Sequence, residues 1–107
     1  MYVYGLKNCD SCRKAMKAFP QAILVDVRQE GVPDAVLDQA SEVFGDALVN
    51  TRSTTWRGLD ASEREKPRKI LLQSHPTLMK RPLIAVEGQL FLSWNKDTEA
   101  ALQSTLG

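Results

Sequence analysis

Cysteine and histidine are scarce in this 107-residue chain: two of the first, one of the second. A zinc site usually needs four ligands, and Cys9, Cys12 and His75 do not fill one, so no metal is expected. Long hydrophobic runs are missing as well, and nothing approaches the roughly 18 apolar residues of a membrane span. The apolar opening Met1–Leu6 breaks at Lys7, so the layout of a secretory leader is absent and a cytoplasmic protein is expected. Neither sign of charge is in surplus. Fourteen Lys and Arg against 13 Asp and Glu leave a net charge of +1, which predicts no direct nucleic-acid binding and no hold on a membrane. Repeats, low-complexity tracts and linkers are absent too. What remains, 43% hydrophobic and 25% charged, is the composition of one globular domain spanning 1–107, by default a monomer.

The pattern along the chain alternates elements. Met1-Tyr-Val-Tyr4 is β-branched and aromatic and reads as a strand, with Gly5-Leu-Lys-Asn8 as the turn after it. A helix from Cys9, carrying Ala15, Met16, Ala18 and Phe19, ends at Pro20. Ile23–Val27 is a mostly apolar second strand, expected to be buried on both faces. Gly31-Val-Pro33 breaks the chain before a helix over about 34–44, with Val36, Leu37, Ala40, Val43 and Phe44 inward and Gly45 past its end. Residues 46–66 are polar and indistinct. A helix near Pro67–Ser74 stops at His75-Pro76, where His75 is better read as an end cap than as a general base. Leu83–Val86 and Leu90–Trp94 form a hairpin around Glu87-Gly-Gln89, and Asn95 or Asp97 caps a last helix. Trp56 and Trp94 read as packing residues.

Residues 21–46 carry one Arg and six acids, and residues 52–81 carry eight Lys or Arg and three acids. Two solvated helix faces of opposite sign explain this. So would an anion-binding face near the thiols beside an acidic face for a partner. Arg52 and Arg57 are open between those readings.

Cys9 and Cys12 form a C-x-x-C at the junction of strand, turn and helix. A structural disulfide closing so short a loop adds little and is reduced in cytosol. Thiol chemistry fits the position better: helix N-terminal N–H groups favour a thiolate at Cys9, and Lys7, Arg13 and Lys14 add positive charge. Cys12, three residues on and more interior, is expected to keep a higher pKa and to act as the resolving thiol.

A strand, a turn, a helix opening with C-x-x-C, a second strand, then a hairpin and a last helix make the thioredoxin-like plan. The expected fold is therefore α/β: a four-stranded mixed sheet (β-α-β … β-β-α) with helices on both faces. Its halves would be about 1–29 and 81–107, with a helical insertion over about 30–80. In that plan a cis proline faces the active cysteine, so Arg81–Pro82 is a cis candidate, and Arg81 would turn toward Cys9 as an anion clamp.

Larger blocks carry a resemblance. Tyr4-Gly-Leu-Lys-Asn-Cys-Asp-Ser-Cys-Arg-Lys-Ala15, Asn50-Thr-Arg-Ser-Thr-Thr-Trp-Arg57, Ser74-His-Pro76 with Lys80-Arg-Pro-Leu-Ile84, and Ser93-Trp-Asn-Lys-Asp97 resemble, in order, the blocks of the ArsC/Spx/YffB family. The look of the second block is nearest the YffB branch. The resemblance implies Cys9 as nucleophile, Arg81 as the oxyanion-binding arginine before cis Pro82, and Arg52 as a second arginine, with Asn50 competing for that place. Asn8 and Arg13, in the first block, join the candidate anion- or thiol-binding residues. The implied activity is a glutathione-linked thiol/disulfide or oxyanion reductase, with glutathione or a glutaredoxin-type protein as reductant and no tightly bound cofactor. Two alternatives come with the family. One is an Spx-like redox-sensing regulator that binds the C-terminal domain of the RNA polymerase α subunit, with Gly45 at the contact position. The other is true arsenate reduction, for which the place of a third arginine reads Ser93 or Trp94.

Overall fold

A computed structural model describes residues 1–106. In chain order its elements are β1 (Tyr2–Gly5), α1 (Asp10–Ala18), β2 (Ile23–Asp26), α2 (Val27–Glu30), α3 (Asp34–Phe44), α4 (Thr54–Arg57), α5 (Ala61–Arg64), α6 (Arg68–Ser74), β3 (Leu83–Val86), β4 (Gln89–Leu92) and α7 (Lys96–Leu106). Two 3-10 turns, Gly45–Leu48 and Pro76–Leu78, follow α3 and α6. The chain divides into two compact units. One joins Met1–Asp26 to the segment from Arg81 on, and the other is Val27–Lys80. Among the described residues no helix is long and apolar enough to cross a membrane, and no three His, Cys, Asp or Glu side chains gather as a metal site would require.

The first unit is the mixed sheet, in the order β2-β1-β3-β4. β1 runs parallel to β2 and antiparallel to β3, and β3 and β4 form an antiparallel hairpin. Register places Leu24, Val3, Ile84 and Phe91 side by side across all four strands. Ala15 and Phe19 of the α1 segment and Leu102 of α7 pack on that row, with Trp94 set edge-on to Phe19. Each fully buried aliphatic side chain here is worth about 1.5–3 kcal/mol. Both helices of this unit therefore lie on one face of the sheet. They do so because the apolar stripes of α1 and α7 converge on a single row.

Four expectations about the strands are corrected. β2 is an edge strand with Ile23 at 55% exposure, not a strand buried on both faces. Its fifth residue, Val27, leaves the sheet to begin α2 and is buried there. Gly5 is the last residue of β1, paired with Asp26, and not part of the turn. Gln89 belongs to β4 opposite Val86, which shortens the hairpin loop to Glu87-Gly88. Both loop residues have positive φ, 49° and 78°, as a tight turn of the type I′ class requires.

The second unit is helical. Leu37 and Ala40 turn α3 inward, whereas Val43, expected on that side, is 59% exposed. Gly45 follows at φ 56°, a conformation that costs a side-chain-bearing residue about 1 kcal/mol or more. Asp34, Asp38 and Asp46 meet Gln73, Lys69 and Arg68 at 2.9, 2.9 and 3.0 Å. Part of the charge asymmetry between the two stretches is thus neutralised within this unit. The indistinct segment is a series of capped turns. Asn50 Oδ1 accepts from the Arg52 N–H, Ser53 Oγ from the Trp56 N–H, and Asp60 Oδ1 from the Glu63 N–H. His75 caps α6, donating its backbone N–H to the Leu71 carbonyl at 2.8 Å, with its ring 3.6 Å from Glu63.

The left-handed Glu87 gives a direct test of the hairpin. Glu87→Asn is expected to stabilise the protein by about 0.5–1 kcal/mol and raise Tm by about 3–6 °C in calorimetry. An unchanged or lower Tm would show that the turn stores no strain at this position.

Candidate thiol site

Antiparallel register decides which residues can meet. Tyr4 lies opposite Leu83, so the chain leaving β1 toward Cys9 runs beside the chain entering β3 from Arg81. Cys9 is the N-cap residue of α1, with an extended backbone (φ −93°, ψ 123°), and it is half-buried. Its N–H donates to the Leu6 carbonyl at 3.2 Å, and its own carbonyl accepts from the Arg13 N–H at 3.0 Å. A cap position favours side chains that accept from the N–H groups of the first turn, and the Cys9 sulfur makes no full cap bond of that kind.

Electrostatics at this sulfur come from named groups. Partial burial disfavours a Cys9 thiolate, but the Cys12 N–H, the Cys12 thiol and the Arg81 guanidinium together outweigh it and hold the Cys9 pKa below the ordinary thiol range. Cys12, at 1% exposure, behaves in the opposite way. Burial, and then the neighbouring Cys9 sulfur, push its pKa up to about 12, against the pull of the Leu6 N–H and Arg81. One sulfur is set toward the anion and the other to keep its proton, which poises Cys9 rather than Cys12 for attack. Both are free thiols here.

Of the residues singled out from the sequence, Cys9, Cys12 and Arg81 converge in this unit. The Arg81–Pro82 bond is cis, Pro82 is buried, and the Pro82 carbonyl accepts from the Ser93 N–H at 2.9 Å. Arg13 sits differently from what the sequence suggested. Its Nε donates to the Lys7 carbonyl at 3.1 Å and its guanidinium lies 3.7 Å from Asp10, so it braces the turn on the exposed side of α1. Asn8 is exposed in that turn. Arg52 belongs to the second unit, where it is exposed and lines a cavity of about 570 Å³ together with Asn50, Thr51 and Lys80.

Gly5 is the site residue that sequence reading missed. A methyl group at this position would run into Cys12 Sγ, so only the bare backbone of β1 lets the Cys12 thiol lie against the strand. The signal available was a glycine closing a strand that leads into a C-x-x-C turn.

Known proteins share this arrangement of elements. The ArsC family model matches residues 4–102. The chain belongs to the ArsC family. Among curated relatives, an uncharacterized protein of Haemophilus influenzae is 41% identical over 109 residues, covering 92% of this chain and 96% of that one. The global transcriptional regulator Spx 1 of Oceanobacillus iheyensis is more distant, 28% identical over 106 residues, covering 89% and 80%. A solved YffB protein superposes with a TM-score of 0.81 at 24% identity, covering 94% of this chain and 96% of its own. An arsenate reductase (ArsC) related protein from Brucella melitensis superposes at 0.68 with 26% identity, covering 94% and 91%. The ArsC-family, YffB-like fold is thereby shown.

Two measurements check the site. Alkylation of Cys9 should accelerate as pH rises through its lowered pKa and level off below the roughly 8.5 of a free thiol. Arg81→Gln removes a cation that favours the thiolate, so the midpoint should move up. A wild-type midpoint at or above the free-thiol value would refute the arrangement. Gly5→Ala should cost about 1–3 kcal/mol by overpacking and make Cys12 reactive in the folded protein. Full stability with a silent Cys12 would contradict the contact.

Proposed function

We propose that this protein is a glutathione-linked thiol/disulfide or oxyanion reductase with Cys9 as its nucleophile. The observation that carries the reading is the split between the two thiols, one held toward the anion and one pushed up to about 12. For a disulfide substrate, the Cys9 thiolate attacks one sulfur, forming a Cys9–substrate disulfide and releasing the other sulfur as a thiolate, which takes a proton from water. A glutathione thiolate then attacks the substrate-derived sulfur, restoring the Cys9 thiolate and leaving a glutathione–substrate disulfide. The net change is one substrate disulfide and one glutathione exchanged for one thiol and one mixed disulfide.

Cys12 is a weak competitor for the second step. With a pKa of about 12 it is almost wholly protonated near neutral pH. Bonding Cys9 to substrate removes the charge beside it but not the burial, which is the larger cause of its high pKa. An external thiol such as glutathione, or a glutaredoxin-type protein, is therefore favoured for release, with Cys12 resolving slowly or protecting Cys9. Arg81 supplies the positive charge next to the reacting sulfur.

Arsenate itself is a poorer fit. Ser93 and Trp94 stand where the resemblance places a third arginine, and Trp94 is packed on Phe19 with ring centroids 6.1 Å apart. The Spx-named relatives and the sequence Cys9-Asp-Ser-Cys12 support a second reading, in which a Cys9–Cys12 disulfide governs binding to the C-terminal domain of the RNA polymerase α subunit. A pull-down with that domain, run oxidised and reduced, tests it; absence of binding in both states disposes of it.

For the enzyme reading, the assay is glutathione-dependent reduction of hydroxyethyl disulfide. Cys9→Ser should lower the rate by at least about 100-fold, whereas Cys12→Ser should change it by no more than about fivefold. Equal losses in the two variants, or no loss in either, would overturn the assignment.

A further inference from the structure

The second unit holds a cavity of about 380 Å³ that lies wholly within Val27–Lys80 and has no part in the thiol chemistry. Its apolar lining comes from Val49, Trp56 and Leu71, its cations are Arg64, Lys66 and Arg68, and Asp46, the partner of Arg68, and Thr51 complete it. A volume near 400 Å³ falls at the small end of the roughly 300–1,000 Å³ typical of small-molecule sites.

The bonding of the three cations shows what is missing. Lys66 Nζ lies 2.6 Å from Glu63 Oε1, and Arg68 meets Asp46 Oδ1 at 3.0 Å. Arg64 is different. Its guanidinium sits 5.3 Å from the centre of the Trp56 ring and donates to the carbonyl oxygens of Trp56, at 3.1 and 3.3 Å, and of Arg57, at 3.4 Å. No carboxylate answers its charge in these contacts. Arg68 Nε is also buried without an acceptor, an arrangement that costs free energy until an oxygen is supplied. Arg64 is exposed, so water meets its charge in the free protein, but the cation, the aromatic ring and the unpartnered Arg68 N–H together describe the complement of a particular ligand class.

We propose that this cavity binds a small organic anion, an aromatic or short acyl body carrying one carboxylate or phosphate. The apolar body would rest against Trp56, Val49 and Leu71, and the anionic head would meet Arg64 and a reoriented Arg68 guanidinium. Both halves are needed. An inorganic anion leaves the apolar lining uncovered, and a neutral aromatic leaves Arg64 without a counter-charge.

The test is an NMR titration of the ¹⁵N-labelled full chain with phenyl phosphate, with benzyl alcohol and inorganic phosphate as separate arms. Saturable shifts are expected at the Trp56 indole and at the amides of Val49 and Leu71, with Kd in the millimolar range or tighter. The two partial ligands should bind at least about tenfold more weakly. Arg64→Gln should weaken phenyl phosphate by about fivefold or more, Arg64→Lys should recover part of the loss, and Cys9→Ser should leave binding unchanged. The spectrum of each variant also reports whether it is folded. The proposal is overturned by non-saturable shifts, by Arg64→Gln binding like wild type, or by inorganic phosphate binding as tightly as the ester.

Discussion

Keeping a sulfur anion half out of water is the constraint on which the first unit depends. Desolvation alone would neutralise Cys9, so three donors must be brought to it by other means. Two arrive locally, because a helix beginning at Asp10 points the Cys12 N–H and thiol back toward its cap residue. The third, Arg81, is more than 70 residues away along the chain and comes into place only through the pairing of β1 with β3. The sheet register is thus part of the electrostatics: Tyr4 opposite Leu83 is what puts a guanidinium beside a thiol. Gly5 belongs to the same constraint, since the room for the Cys12 sulfur exists only where β1 lacks a side chain.

The second unit is held by other means. Its segments are short, three of them (α2, α4 and α5) single helical turns, and such turns are unstable by themselves. Ser53 and Asp60 cap α4 and α5, while Leu48, Leu71, Leu72, Leu78 and Met79 supply buried area. Backbone bonds from Asn50 to Leu78 and from Lys80 to Leu48 close the unit on itself. Pairing of α3 carboxylates with α6 lowers the self-repulsion of two oppositely charged stretches, though exposed pairs of this kind contribute little each.

Much of this is legible in the residues. The β-branched and aromatic runs mark β1 and β3, Pro20 and His75-Pro76 mark helix ends, and the C-x-x-C marks the one place with chemistry. Where sequence and structure part, the cause is tertiary. An apolar run such as Ile23–Val27 does not say whether it lies inside a sheet or at its edge, and Val27 is apolar because α2 buries it. Nothing in the spacing of α1 or α7 tells which face of the sheet each will cover. The capped turns of 50–64 do carry a signal, Asp60-x-x-Glu63 and a serine before Thr54, but without apolar periodicity such caps have no helix to attach to. Arg13 escapes a sequence reading because one helical turn from Cys9 says nothing of where a long side chain points.

The first unit is assembled from both ends of the chain, and this has a consequence for synthesis. A ribosome releases β1, α1 and β2 first, then the whole of Val27–Lys80, and only then Arg81 and β3. Until Arg81 and β3 emerge, β1 has no antiparallel partner and Cys9 lacks the Arg81 guanidinium. The nascent chain therefore carries two ordinary thiols while the whole of Val27–Lys80 is made, and the reactive sulfur comes into being only after β3 has followed.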